Sequence, residues 1–228
     1  MKETENQIRF EKKYIIPSRY QDLIDHLIYR NKARFIRHHN ERIVNSVYLD
    51  TSDFQFYREN INGLNERKKF RIRWYGNGQE KVKAFLEIKM KKGHLGKKIK
   101  YEINSPLSIN SRNLFADIKE SLRGIDTSTK VKEVLKRLEP TLYVSYKRKY
   151  FISNLTNYRL TIDNNLLFKT YSRISTSSRR NHSYNNKMIV EFKYDKNTRN
   201  KDLQLFSTFP FRMSRHSKYV IGLSQFKY

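Results

Sequence analysis

Basic residues alternate with mostly apolar ones along one short stretch, ERKKFRIRWYGNG, at residues 66–78. Successive side chains of a β-strand point to opposite faces, so a strand here would have one basic face and one mostly apolar face. The residues of the basic face would be Arg67, Lys69, Arg71 and Arg73. Arginine offers fixed bidentate geometry to phosphate oxygens, and lysine offers a point charge. The stretch therefore predicts a strand whose basic face binds a polyanion.

Similar alternation recurs in the segments IRFEKKYII, FLEIKM, KKIKYEI, SYKRKYF, YRLTID and IVEFKYD. A half-exposed antiparallel sheet would explain alternating polar and apolar residues. It would gain nothing from gathering full positive charges, because like charges directly opposite each other destabilise strand pairing. A sheet closed into a barrel with its charged face inward would instead surround a polyanion. Glutamates would pair with some of the cations, and a bound phosphate chain with its metal ion would pair with the rest.

The composition agrees with an anionic partner. The 228 residues include 48 Lys plus Arg against 22 Asp plus Glu, a formal net charge of +26. Such an excess indicates nucleic acid, an anionic membrane or phosphate-rich small molecules. The chain has no cysteine, which excludes disulfides and thiolate metal sites. No signal peptide or apolar run of ~20 residues is visible, so a cytoplasmic location is expected, with contact to the inner membrane face only through a partner.

The elements that must position these residues can be read from periodicity and turn residues. Strands are predicted at about 7–16, 43–50, 66–75, 82–91, 97–104, 141–152, 157–163, 166–171 and 187–194. Helices are predicted at 18–30, 53–60, 199–207 and 213–224, with a mostly helical insertion at about 108–138 and a polar loop at about 172–186. Many antiparallel strands with flanking helices indicate an α+β fold, expected to form one domain over residues 1–228.

Several strings in order resemble the catalytic domain of the vacuolar transporter chaperone (VTC) polyphosphate polymerases, which are triphosphate tunnel metalloenzymes. They are RFEKKY, NSVYLDT, RKKFRIRWYG, FLEIKMKKG, KKIK, YVSYKRKYF, YRLTID, IVEFKY and SRHSKYVIG, spanning about Arg9 to Gly222. The resemblance implies an antiparallel eight-stranded β-barrel tunnel that binds triphosphate or polyphosphate with Mn²⁺ or Mg²⁺. It also implies transfer of the γ-phosphate of ATP onto a polyphosphate chain, with a separate membrane protein left open as a partner for export.

The resemblance also assigns site residues. Those implied to bind phosphate are Lys13, Arg71, Arg73, Lys89, Lys98, Lys100, Arg148, Arg159, Arg215, Ser217 and Lys218. Glu191 matches the metal-binding glutamate, and its alternative role is a salt bridge with Lys193 or a cross-strand arginine. Glu11 and the weaker candidate Glu87 are further metal ligands, or else charge partners of Lys13 and Lys89. The six histidines show no metal-ligand spacing and are expected to be surface or structural.

Two other functions remain open. An inorganic triphosphatase or polyphosphatase could use the same fold, with Glu11 or Glu87 as a base for the attacking water. A non-catalytic module could bind polyphosphate or RNA. Nucleic acid is disfavoured because stacking on bases needs exposed aromatic residues beside the cations, and most Tyr and Phe are expected opposite the cations or in helices. No G-x-x-x-x-G-K-[ST] loop is present, so side chains must hold the phosphates.

Overall fold

The computed structural model describes residues 2–5, 9–77, 82–93, 95–103, 114–170, 181–195, 209–214 and 217–226. The strands are β1 Lys2–Glu5, β2 Arg9–Pro17, β3 Phe35–Asp50, β4 Glu66–Tyr75, β5 Phe85–Lys92, β6 Leu95–Glu102, β7 Glu139–Ser153, β8 Arg159–Thr170, β9 Asn181–Tyr184 and β10 Lys187–Asp195. The helices are α1 Gln21–Tyr29 after a short 3-10 turn Ser18–Tyr20, α2 Gln55–Ile61, α3 Leu114–Arg123, α4 Thr129–Lys136 and α5 Lys218–Ser224. The predicted α+β class is confirmed.

The strands form one antiparallel sheet in the order β1-β6-β5-β4-β3-β7-β8-β10-β2, with β9 added beside β8. The two edge strands, β1 and β2, follow each other in the chain. Among the described residues no hydrogen-bonded ladder joins them, so the predicted closed eight-stranded barrel is wrong. The physical reason is that the two N-terminal strands pair with different neighbours. Lys2–Glu5 pair with β6, whereas Arg9–Pro17 pair with β10.

The sheet has a charged face and an outer face, and two apolar cores cover the outer face. The first core joins β3, β4, β5 and β6 to α2, α3 and α4; its members include Phe56, Ile72, Trp74, Leu86, Ile118 and Leu135. The second joins β2, β8 and β10 to α1; its members include Tyr14, Ile24, Leu160 and Phe192. Strand alternation therefore leaves the residues between these apolar positions on the opposite, charged face.

A third core lies at one end of the charged face, where α5 packs on it. It contains Tyr48 and Leu142 from the sheet and Tyr219 and Leu223 from α5. The helix comes very close to the strands at Gly222, where an added Cβ would lie 2.5 Å from the Leu142 Cδ2 atom. The closing helix thus rests inside the curve of the sheet.

Several element boundaries differ from the prediction for identifiable reasons. β3 begins at Phe35, well before the predicted start at residue 43. Register shifts after Arg37 and His39 allow this polar segment to pair with β7. The strands predicted at 157–163 and 166–171 form the single strand β8, in which Asn165 adopts a left-handed φ of 53°. The strand continues through this position with a shift of register against β7 between Ser145 and Lys147.

The predicted polar loop and C-terminal helices also need correction. Asn181–Tyr184 of the predicted loop form β9, paired with β8, while residues 171–180 lie outside the described residues, as does the predicted helix 199–207. The last helix begins only at Lys218, because Met213 forms an isolated bridge with Tyr14 instead. None of the helices in the described part of the chain is both long and apolar enough to cross a bilayer.

Candidate functional site

The charged face is concave. This follows from interactions across it between side chains of strands that are far apart in the sheet order. Lys69 on β4 interacts electrostatically with Lys13 on β2. Lys89 on β5 interacts in the same way with Lys193 and Glu191 on β10. Between β4 and β10 the sheet order passes through β3, β7 and β8. The sheet must therefore curl strongly, so that its cations face a common space even though its edges are not hydrogen bonded to each other.

The first cluster on this face is built around Glu87 of β5. Its Oε2 atom accepts hydrogen bonds from Arg71 Nε at 2.8 Å and Arg71 Nη2 at 2.5 Å, and Arg73 Nη1 lies 3.8 Å away. Burial acts to raise the pKa of Glu87, but Arg71 and Arg73 lower it below its usual range. Glu87 is therefore a fixed anion committed to two arginines. The predicted pairing of Glu87 with Lys89 is wrong, because strand register places Arg71 directly opposite Glu87.

The second cluster is built around Asp163 of β8, which is fully buried. Its Oδ1 atom accepts from Arg148 Nε at 2.5 Å, and its Oδ2 atom accepts from Arg148 Nη2 at 2.8 Å and from Lys218 Nζ. Burial acts to raise the pKa of Asp163, yet Arg148 and Lys218 lower it to about 2. One carboxylate thus holds two cations from different elements, and the cluster carries a net positive charge.

The third cluster combines two carboxylates with two lysines on β2 and β10. Lys13 Nζ lies 2.9 Å from Glu11 Oε2 and 3.2 Å from Glu191 Oε1. Lys193 Nζ lies 3.9 Å from Glu11 Oε1 and 3.8 Å from Glu191 Oε2. Burial acts to lower the pKa of Lys13, but Glu191 and Glu11 raise it above its ordinary value. Both alternative roles predicted for these acids, partners of Lys13 and of Lys193, are seen in the structure.

These residues also offer oxygen donors that fit a divalent ion. Glu11 and Glu191 meet at the same lysine ammonium, and Thr161 lies directly opposite Glu191 on β8. The Thr161 Oγ1 atom is buried and has no hydrogen-bond partner among the described residues. No group of three or more His, Cys, Asp or Glu residues in the described ranges could hold a metal by itself. Mg²⁺ and Mn²⁺ typically use one or two carboxylates and take further ligands from substrate phosphates, so the donor set fits such an ion.

A row of lysines on β4, β5 and β6 has a different character from these clusters. Lys69 pairs in register with Lys89, which pairs in register with Lys98. The neighbouring row on the same face, two residues away on each strand, consists of Arg71, Glu87 and Lys100. An acid therefore lies at the centre of that row. Like charges directly opposite each other destabilise a sheet, so the lysine row is unfavourable when empty.

Two members of the row, Lys69 and Lys89, interact mainly with other cations. Within the described residues, no carboxylate lies within 4 Å of Lys69 or Lys89, and the Nζ atom of Lys69 donates to Ser217 Oγ at 3.0 Å. Burial and the neighbouring Lys13, together with Arg67 and Arg71, lower the pKa of Lys69 to about 7. Burial lowers the pKa of Lys89 well below its ordinary value, and Arg71 and Lys193 add to the effect. An anion bound here would relieve this repulsion.

The remaining predicted residues lie at the margins or outside the described structure. Lys100 lies on the charged face with its Nζ atom 3.8 Å from the Phe85 ring centroid. Arg159 is exposed and stands opposite Lys193 at the end of β8. Ser217 accepts the Lys69 hydrogen bond described above, and Arg215 lies outside the described residues.

The sequence analysis placed Lys69 on the basic face of its strand without assigning it to the site, and it assigned no site role to Tyr146, Thr161 or Asp163. All four carried a usable signal, because each alternates in phase with a predicted site residue on its own strand. The signal could not give their partners: Arg73 Nη2 donates to the Tyr146 hydroxyl at 3.0 Å, and Lys218 Nζ lies 4.6 Å from the centroid of the Tyr146 ring.

Three tyrosines lie on the charged face, whereas most aromatic residues were expected opposite the cations or in helices. They are Tyr48, Tyr146 and Tyr150. Two arginines of β4 donate to the hydroxyl groups of two of these tyrosines: Arg71 Nη1 donates to Tyr48 at 3.3 Å, and Arg73 donates to Tyr146. The phenols therefore orient guanidinium groups from within the protein, and Tyr48 and Tyr146 are buried, unlike an exposed stacking platform for bases.

Solved structures of other proteins share this fold. A putative adenylate cyclase from Bacillus halodurans aligns with a TM-score of 0.57 and 13% identity over 99% of each chain. A putative adenylate cyclase from Vibrio parahaemolyticus gives 0.52 and 12% over 96% of this chain and 99% of that chain. A putative adenylyl cyclase from Hippeastrum, reported to have a dominant triphosphatase activity, gives 0.51 and 13% over 95% of each chain. These likenesses confirm the tunnel fold that the sequence resemblance implies.

The family of the chain follows from its sequence. No individual curated protein matches it significantly. The sequence model of the VTC domain, however, matches residues 8–227. The match includes all the strands of the charged face except β1, and it includes the three clusters and the lysine row. On this evidence the chain belongs to the VTC domain family.

Proposed function

We propose that this protein is a metal-dependent polyphosphate polymerase, which transfers the γ-phosphate of ATP onto a polyphosphate chain bound along the charged face. The observation that carries the proposal is the contrast between the acid-containing clusters and two lysines, Lys69 and Lys89, that have no carboxylate within 4 Å among the described residues. The carboxylates of β2 and β10 suit a metal ion that would bind the reacting phosphates. Lys69 and Lys89, which pair in register, suit the part of a phosphate chain that lies away from the metal.

Phosphoryl transfer needs little from the protein beyond in-line positioning and neutralisation of charge. Arg71 and Arg148 are each held by a carboxylate, so their guanidinium groups are preorganised instead of mobile. Charge-assisted contacts from such groups to phosphate oxygens are strong and directional. The nucleophile of a polymerase is a terminal phosphate oxygen that is already ionised. No general base is then required, and binding and alignment account for the chemistry.

Glu191 and Glu11 would hold the divalent ion, with Thr161 as a neighbouring neutral donor. When bound, such an ion would neutralise charge on the phosphate oxygens. Lys13 and Lys193, which contact the same carboxylates, would supply further positive charge to phosphates bound beside them.

A triphosphatase is the second candidate. The Hippeastrum protein of the same fold is reported to have a dominant triphosphatase activity. Hydrolysis requires a base for the attacking water, and the carboxylate Glu11 is the base that the sequence indicated in this region of the charged face.

Incubation with ATP and Mn²⁺, followed by separate measurement of long-chain polyphosphate and orthophosphate, tests the proposal. Long chains that require the protein and the metal support a polymerase. Orthophosphate released from tripolyphosphate without chain growth would replace it by a triphosphatase. No turnover of either compound, together with salt-dependent binding of polyphosphate or RNA, would indicate a binding module. Arg71→Ala is the inactive control, because it removes a central guanidinium from the charged face.

A further inference from the structure

A buried carboxylate outside the three clusters joins three elements of the fold. Asp50 ends β3 and is fully buried. Its Oδ1 atom accepts from the backbone N–H groups of Thr51 at 2.8 Å and Phe56 at 2.9 Å. Its Oδ2 atom accepts from the N–H of Tyr57 at 2.9 Å and from the Tyr219 hydroxyl. Asp50 therefore satisfies the first turn of α2, whose N-cap residue Phe54 has no capping side chain, and it also reaches α5.

Tyr219 connects this carboxylate to α5 in a fixed orientation. It is buried, and its ring stacks on Tyr48 with a centroid distance of 4.9 Å and an interplanar angle of 19°. Thr141 contacts the Tyr219 hydroxyl at 3.5 Å from the other side. The tight approach of Gly222 to Leu142 prevents the helix from shifting toward the sheet. The hydrogen bond to Asp50 therefore sets the rotation of α5 on the sheet.

The first residues of α5 carry this orientation into the charged face. Lys218, next to Tyr219, donates to Asp163 beside Arg148. Ser217 accepts from Lys69 of the lysine row. Both contacts lie within two residues of Tyr219, so a small rotation of the helix would move the Lys218 ammonium and the Ser217 hydroxyl together. No contact of Asp50 with the cations themselves is needed for this effect.

We propose that Asp50 and Tyr219 are positioning residues for phosphate binding, acting through Lys218 and Ser217. The inference rests on the proposed function, since it assumes that the charged face binds a phosphate chain. It adds a separate claim. The hydrogen bond from Tyr219 to Asp50, on the side of α5 that faces α2 and the end of β3, sets the affinity of the charged face for phosphate. Residues that only hold the fold together would affect stability without this effect.

A double-mutant cycle tests the proposal, with tripolyphosphate as the ligand and calorimetry as the measurement. Tyr219→Phe keeps the ring and its stacking but removes the hydroxyl. We expect about tenfold weaker tripolyphosphate binding, the size of one lost hydrogen bond to a charged group. In a Lys218→Met background the same change should have a clearly smaller effect, because one of the two groups being positioned is gone.

Tyr101→Phe is the matched control. Tyr101 is a buried tyrosine on the outer face, and its hydroxyl accepts from Thr127 at 2.8 Å. We expect both tyrosine variants to lower the urea midpoint, and only Tyr219→Phe to weaken tripolyphosphate binding. Unchanged affinity in Tyr219→Phe, or an equal loss with and without Lys218, would overturn the proposal. An unmutated protein that does not bind tripolyphosphate would instead overturn the proposed function.

Discussion

At the scale of single residues, the charged face is defined by how each cation is paired. Arg71, Arg73 and Arg148 have carboxylate partners and stay oriented, whereas Lys69 and Lys89 face other cations. Removing one partner of a buried pair is costly, while relieving like-charge repulsion is not. Substitutions of acids and of row lysines should therefore have opposite effects on the stability of the empty protein.

Glu191→Gln is expected to separate binding from catalysis. The change keeps the size of the side chain and removes a charge that contacts Lys13 and Lys193. Metal-dependent turnover should be lost, while tripolyphosphate binding without metal should survive or tighten, because two ammonium groups lose a competing anion. Activity titrated with Mn²⁺ and affinity measured by calorimetry check both parts. An unaltered Mn²⁺ titration would move the metal to Glu11.

Lys69 should make the stability of the empty protein depend on pH. Its pKa in the folded state is about 7, below the ordinary lysine value of 10.5, because burial and Lys13 disfavour the charged form. Between these pH values the unfolded chain binds more protons, so the free energy of unfolding should rise with pH. Below about pH 7 both states are protonated, and the destabilisation is fully present.

Urea midpoints at several pH values between 7 and 10 measure this effect in the unmutated protein and in Lys69→Met. The rise assigned to Lys69 is the difference between the two proteins, since other groups titrate in both. An identical pH profile in Lys69→Met would show that Lys69 keeps an ordinary pKa. Saturating tripolyphosphate should reduce the difference, because a bound anion favours the charged ammonium.

At the scale of elements, α5 has the most specific placement. It packs on the concave side of the sheet, caps its own first turn through Ser217 and delivers Lys218 to Asp163. The two N-terminal strands lie at opposite edges of the sheet, where β1 pairs with β6 and β2 pairs with β10. Both elements depend on contacts between distant parts of the chain.

Gly222→Ala tests the packing of α5. A Cβ at this position would lie 2.5 Å from Leu142 Cδ2 and 2.7 Å from Phe168 Cδ1, so the helix or both side chains must move. Overpacking of this kind typically costs about 1–3 kcal/mol. The expected result is a lower urea midpoint together with weaker tripolyphosphate binding. Gly96→Ala is the control, because nothing lies within 4 Å of an added Cβ there. Equal effects of the two changes would argue against tight packing at Gly222.

At the scale of the whole molecule, a curled sheet gathers cations from seven strands around one space, in a chain of net charge +26. Three carboxylate clusters balance part of this charge, and no carboxylate of the described residues lies within 4 Å of Lys69 or Lys89. The empty state is therefore electrostatically strained, and a polyanion that binds only the folded protein should stabilise it by mass action.

Tripolyphosphate near 100 times its dissociation constant should add about 2.7 kcal/mol to the free energy of unfolding. Thermal melts with and without the ligand measure this, and the shift should shrink in high salt because exposed charges are screened. Lys89→Gln should melt higher than the unmutated protein when empty and gain less from a fixed tripolyphosphate concentration. A melt unmoved by saturating tripolyphosphate would count against a phosphate-binding charged face.

The sequence by itself determined the strands and their charged face. β4 spans the predicted residues 66–75, because alternation with period two is a local property that any strand must express. The order of motifs also indicated the VTC family and most of the cations that the charged face contains. These conclusions needed no knowledge of which strand pairs with which.

Only the tertiary structure decided how the charges are partnered. Glu87 binds Arg71 and Arg73 instead of Lys89, and Asp163 holds Arg148 and Lys218, because strand register and sheet curvature set these distances. The same non-local geometry left β1 and β2 unjoined and laid α5 inside the curve. Periodicity reports which way a side chain points, whereas pairing depends on residues far apart in the chain, whose relative positions only the folded packing specifies.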